Sequence, residues 1–151
     1  MSAHPSSSAI QTAAEAAITT AVEGRLGVPL VLKPGKVTLS GNVSIELDAA
    51  APDMSVVVEI YARQGRLKGA QPKKIAQDIL KLALLKREPA YQDTQTIIAF
   101  ASFEAHASIT GWLRQAATAF GVTLMVVEIP AELSEQIQQA QAVQMMVNAE
   151  N

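Results

Sequence analysis

The sequence contains no cysteine. That excludes a disulfide scaffold, a Cys-ligated zinc site, an iron–sulfur cluster and a thiol nucleophile. Histidine is almost as scarce: only His4 and His106 occur, and His4 lies in a Ser-rich start. No histidine pair has metal-ligand spacing, and a Ser-His-Asp triad would have His106 alone to draw on. Aromatic residues make up 4% of the chain, which argues against single-strand binding by repeated base stacking. No apolar run approaches the roughly 18 residues of a membrane span. The start, MSAHPSSS, has neither a basic n-region nor an apolar h-region. No signal peptide is expected there, and the chain reads as cytoplasmic with no membrane partner. Neither Gly-x-x-x-x-Gly-Lys nor Gly-x-Gly-x-x-Gly occurs; Gly65 and Gly69 stand alone.

What the chain does have is 151 residues, 49% of them apolar and 17% charged. That is one domain with enough length to bury a core, and neither a disordered chain nor a coiled coil. The net charge of −2 conceals an asymmetry. Between positions 63 and 87 stand Arg63, Arg66, Lys68, Lys73, Lys74, Lys81, Lys86 and Arg87, 8 of the 12 basic residues, against the single acid Asp78. The rest of the chain is acidic. Such a segment is either a solvated loop and helix face or a footprint for a polyanion.

Residues 1–8 read as a disordered lead-in and 9–151 as one domain. Apolar positions at three- and four-residue steps predict a helix over 9–25, with Ser8 as N-cap. Strands follow over 36–40 and 43–48, joined at Gly41-Asn42 as a hairpin, with Val43, Ile45 and Leu47 on one face. A β-branched strand is predicted over 54–62. Pro72 opens a helix to about 86. An apolar strand over 94–101, a helix over 104–120, an apolar strand over 122–129 and a Gln-rich helix from about 131 complete the chain. The order is αβββαβαβα. Strands alternating in polarity suit antiparallel pairing, and the last two, apolar throughout, suit parallel strands buried on both faces. A mixed sheet flanked by helices on both faces is expected.

The chemistry is expected in carboxylates. Asp48 ends the second predicted strand and Glu59 sits late in the third; as hairpin neighbours they would lie close on one side of the sheet. Two carboxylates form an oxygen-rich site suited to Mg²⁺ or Mn²⁺. Glu59 is embedded in Val-Val-Val-Glu-Ile-Tyr, where a buried carboxylate is costly unless paired or metal-bound. The basic segment starts two residues after Tyr61, as a polyanion site requires. The bland alternative is a solvated acidic pair on a hairpin.

The element order, with an Asp ending the second strand and a Glu in the third, resembles the PD-(D/E)XK, or restriction-endonuclease-like, superfamily. The segment from Glu59 to Leu82, EIYARQGRLKGAQPKKIAQDILKL, looks like an uncharacterised bacterial branch of it. The resemblance covers about residues 9–129. It implies a metal-dependent nuclease-like protein acting on DNA or RNA, with Asp48 and Glu59 as Mg²⁺ or Mn²⁺ ligands and Glu23 as an accessory acid. Pro52-Asp53 spells the motif dipeptide but belongs to a turn. The family's lysine two residues after the acid is here Tyr61, which brings no positive charge. Lys74 is the first substitute and Lys81 the second, if the lysine has moved to the following helix. Lys74, Asp78 and Lys81 share one helix face; the plain alternative is a Lys74–Asp78 surface pair worth under about 1 kcal/mol. Arg63, Arg66, Lys68, Lys73 and Lys81 would meet phosphates. The rival reading is an inactive binding or assembly module of the same fold, or a subunit whose activity needs another chain.

Trp112 is expected in the core with Ile109 and Leu113. His106 is expected at the surface or as a cap, and Glu128 at a strand end facing solvent. The apolar stripe of the last helix either packs on the domain or joins two subunits; the family resemblance implies a homodimer or larger complex.

Overall fold

The structure is a computed structural model and describes residues 6–150. Its first helix, α1 (Ser7–Leu26), buries Ile10, Ala14, Ile18 and Val22, one stripe at helical spacing. The Ser6 side chain caps it by accepting from Ala9 N at 3.2 Å, two residues earlier than the sequence suggests. The expected lead-in is therefore shorter: residues 6–8 belong to the helix start, and residues 1–5, with His4, lie outside the described residues. Gly27, at φ +68°, ends the helix with its N–H on Glu23 O.

The chain then runs through β1 (Val31–Leu32), β2 (Lys36–Leu39), β3 (Val43–Glu46), β4 (Ala49–Ala50) and β5 (Val56–Tyr61) to helix α2 (Gln71–Lys86). After a 3-10 turn at Pro89–Tyr91 come β6 (Gln95–Phe100), α3 (Phe103–Ala107), α4 (Gly111–Ala119), β7 (Val122–Val126) and α5 (Ala131–Glu150). The main sheet has the order β1-β4-β5-β6-β7. β5, β6 and β7 are parallel, and β4 and β1 join them antiparallel. The fold is thus mixed α/β, with a five-stranded mixed sheet flanked by helices.

Two apolar clusters cover its faces. Val57, Tyr61, Ile98 and Phe100 pack with Ile75, Ile79 and Leu82 of α2 and with Leu113 and Ala117 of α4. Val56, Val58, Ile60, Ile97 and Ala99 pack with α1 and with Leu133, Ile137 and Ala140 of α5. Among the described residues no helix is long and apolar enough to cross a membrane.

Three expectations are corrected. The strand predicted over 43–48 is two strands: Gly41 and Asn42, both at positive φ, close the β2–β3 hairpin as a sheet of its own, and only Ala49–Ala50 reaches β5. The short edge strand β1 has too few residues to show a period. The helix predicted over 104–120 breaks at Ser108–Thr110. There the Arg114 guanidinium donates to Ile109 O (2.7 Å) and His106 O (3.1 Å), satisfying carbonyls freed by the break. The break turns the second half, so Leu113 and Ala117 point inward while Trp112 is 77% exposed, not core.

Candidate carboxylate–lysine site

Pairing of β4 with β5 sets Ala49 opposite Val58, and the same register carries Asp48 to the side of Glu59. Asp48 Oδ2 accepts from Ile60 N at 2.8 Å, which locks the carboxylate onto the edge of β5. Glu59 alternates with Val58 and Ile60, so it points to the α2 face. It is 1% exposed. Helix α2 answers with Lys74, Asp78 and Lys81, one above the other at i, i+4 and i+7.

Lys81 makes the direct contact. Its ammonium forms an ion pair with Glu59 Oε1 and donates a hydrogen bond to Glu46 O at 2.9 Å. Glu59 Oε1 thus has Lys81 as its partner, while Glu59 Oε2 is buried without one. Lys74 instead pairs with Asp78 Oδ1 at 2.9 Å. Lys81, the second substitute by sequence, is thus nearer to Glu59 than Lys74, the first. Asp78 is buried, and its Oδ2 is also without a partner. Lys73 and Gln77 are exposed on other faces of α2.

Burial, and then the neighbouring Asp48 carboxylate, push the Glu59 carboxyl up to about 8, with Lys81 opposing. Burial also raises Asp78 against the pull of Lys74 and Lys81. Burial works against the charge of Lys74, but Asp78 and the fields of Glu59 and Asp48 prevail and raise it. The cluster is therefore a set of two cations and three carboxyl groups in which burial and Asp48 favour the protonated form of Glu59 and Lys81 its charged form.

Tyr61 does not stand in for a lysine. Its hydroxyl donates to Gln71 Oε1 at 3.3 Å and its ring packs on Phe100, with centroids 5.5 Å apart. Burial raises its pKa and Arg63 opposes. Glu23 is engaged elsewhere: α1 covers the opposite face of the sheet, and Glu23 Oε2 accepts from Leu30 N at 2.8 Å. Asp53 accepts from Ser55 N in the turn before β5. Glu128 is exposed beyond β7. His106 is neither a free surface residue nor a cap; half-buried, its Nε2 meets Leu124 O at 3.1 Å and its ring stands edge-on to Phe100.

The basic loop at 63–69 leaves the C-terminal end of β5, and its backbone is held. Gln64 N donates to Gln141 Oε1 (2.7 Å), Gly65 N to Ser102 Oγ (3.1 Å), Leu67 N to Ser108 Oγ (3.1 Å) and Lys68 N to Gln71 Oε1 (2.9 Å). Gln141 Nε2 returns a bond to Gln64 O at 2.9 Å, and Ser134 reaches the Gln64 side chain. Arg63, Arg66 and Lys68 stay exposed on this fixed frame. They line a groove of roughly 590 Å³ between the loop and α5, with Gln71, Gln138 and Gln144. Gln71 joins the two parts of the site, since it accepts from both Tyr61 and Lys68. A larger groove between α1 and α5, lined by Ile10, Ala140 and Val143 among others, has no titratable side chain among the described residues.

Sequence reasoning missed Gln64, Ser102, Ser108, Ser134 and Gln141. The Gln-rich helix was visible, but no local pattern ties position 141 to position 64.

Among the described residues no three His, Asp or Glu side chains converge as a metal-ligating group. Asp48 and Glu59 remain a two-carboxylate set in which Glu59 Oε2 has no partner. That fits Mg²⁺, which is commonly held by one or two carboxylates together with water and substrate phosphates. No protein-family profile matches the chain, and no curated protein matches it.

Proposed function

We propose that the protein is a metal-dependent, nuclease-like protein of the restriction-endonuclease-like fold, acting on nucleic acid phosphodiesters. The observation that carries this reading is Glu59: a fully buried carboxyl group whose Oε1 pairs with Lys81 and whose Oε2 has no partner, set beside Asp48. A group in that state costs stability, and divalent-cation ligation is the chemistry that would use it. Asp48 and Glu59 would hold Mg²⁺ or Mn²⁺, which when bound polarises a phosphodiester and lowers the pKa of water. Lys81, on the acid pair, takes the part of the motif lysine, with Lys74 behind it through Asp78. Arg63, Arg66, Lys68 and Lys73 supply positive charge for phosphates, and the pinned loop presents three of them without an ordering cost.

Calorimetric titration with Mn²⁺ and Mg²⁺, on wild type and Glu59→Gln, tests this. Binding in the wild type that is lost in the variant, with cleavage of DNA or RNA lost in Lys81→Ala, is expected. No cation binding and no cleavage of any DNA or RNA form by folded protein would overturn it. A second reading, an inactive binding or assembly module, is favoured by Tyr61: the motif-lysine position holds a side chain already committed to Gln71 and Phe100.

A further inference from the structure

We propose that Phe103 and Trp112 form a two-ring platform for unpaired bases of a single-stranded nucleic acid whose phosphates lie on the 63–69 loop. This rests on the nucleic-acid reading above and adds to it the strand form of the substrate.

Phe103, 74% exposed, and Trp112, 77%, are the most exposed of the described aromatic rings; Phe120, 52% exposed, caps the opposite end of α4. Both stand at the end of the sheet where the basic loop lies. β6 delivers Phe103 at the C-terminal end of the parallel strands. α2 and α4 touch and run back along the same sheet face, so their N-termini lie at that same end. This sets Trp112 at the end of the sheet that also carries Lys73 and Lys74.

The two ring-bearing segments are also tied to the loop directly. Ser102, immediately before Phe103, accepts from Gly65 N at 3.1 Å. Ser108, between Phe103 and Trp112, accepts from Leu67 N at 3.1 Å. The rings and Arg63, Arg66 and Lys68 are therefore held on one frame.

The chemistry of this surface selects its ligand. The core of a protein interface is depleted in charge, whereas the segments that carry these rings are bonded to the loop that carries Arg63, Arg66 and Lys68. Flat apolar faces beside a cationic loop match a polyanion that carries flat rings. In a duplex those base faces are hidden against each other; in a single strand they are free to stack. Glu104, which lines the groove beside Phe103, disfavours a phosphate there and directs the backbone toward the loop. Two rings serve one or two bases, which agrees with the low aromatic content that excludes a long stacking array.

Trp112 is the single tryptophan, so its emission reports on the platform itself. The experiment titrates intact protein in EDTA with a labelled oligothymidine of about 12 nucleotides and, separately, with a duplex of equal length. Quenching of Trp112 is expected with the single strand, which should bind about tenfold more tightly than the duplex. Trp112→Ala and Phe103→Ala should each weaken single-strand binding about tenfold and leave duplex binding unchanged. Both rings are exposed, so neither change disturbs the core. Arg66→Ala should weaken both ligands.

Equal affinity for both forms with unchanged emission would overturn the platform and leave the nucleic-acid reading standing. So would quenching without any loss of affinity in both ring variants. Absence of binding to either form, read by anisotropy of the labelled strand, would overturn the platform and the nucleic-acid reading together.

Discussion

On the α1 side of the central strand, Val56, Val58 and Ile60 meet Ile18, Val22 and Ile137, and neither of the buried charged residues among those described, Glu59 and Asp78, lies there. On the α2 side, Val57 and Tyr61 flank Glu59, and α2 brings Asp78 into the same layer. The two faces share one strand and opposite environments. The first is a core in which every contact contributes to stability. The second buries two carboxyl groups with orphaned oxygens, an arrangement that destabilises a fold unless something else uses it. The difference teaches where this molecule accepts a stability cost, and that place coincides with the candidate site.

The largest effect expected is common to both faces. Ile18→Ala and Leu82→Ala, each removing a fully buried side chain, should cost about 2–5 kcal/mol in denaturant unfolding. A cost confined to the α1 face would mean that the α2 face is loosely packed, and the comparison would then rest on packing rather than charge.

Glu59→Gln should act in the opposite direction, stabilising by about 1–3 kcal/mol at alkaline pH. The sign follows from the carboxyl group. It is raised to about 8 in the fold from an ordinary 4.5 in the unfolded chain. The folded state therefore holds a proton that the unfolded state has released, and stability from this group is full below about pH 4.5. That stability is lost as pH rises toward 8. The glutamine variant lacks this slope, so its advantage should grow between about pH 5 and about pH 9. Parallel unfolding curves for the two proteins across that range would break the comparison.

A smaller effect is expected where the polar face meets α5. Gln141→Ala strips two hydrogen bonds from Gln64 and should cost about 1–2 kcal/mol. Hydrogen exchange should place the loss in the 63–69 loop, with the α1 face unchanged. Tyr61→Phe, which removes only the 3.3 Å bond to Gln71, should cost under about 1 kcal/mol by thermal unfolding. A larger loss would show that the Tyr61–Gln71 link holds more of the site than its length suggests.

Much of the architecture is legible in the amino-acid sequence. Ile10, Ala14, Ile18 and Val22 announce a helix by spacing alone, and the β-branched run at 54–62 announces a strand, though its burial on both faces and its parallel pairing with β6 are not read from it. Gly41-Asn42 announces the hairpin, because both positions need a left-handed backbone. The carboxylate pair was also readable, since hairpin logic brings Asp48 to Glu59. The break at Ser108–Thr110 was not. Glu104 to Phe120 keeps a helical apolar period across it, and the carbonyls freed there are satisfied by Arg114, a partner that periodicity does not reveal. Trp112 was assigned to the core for the same reason.

What the sequence by itself determined are the features with a short period: helical faces, strand alternation, turn residues, and the concentration of Arg and Lys between 63 and 87. Backbone geometry imposes those repeats on any chain that buries one face. Only the tertiary structure decided that Lys81, not Lys74, meets Glu59, that Gln141 clamps Gln64, and that Trp112 stands in water. Each depends on how one element is rotated against another. That rotation is set by packing across many residues of separation, and no local spacing in the chain records it.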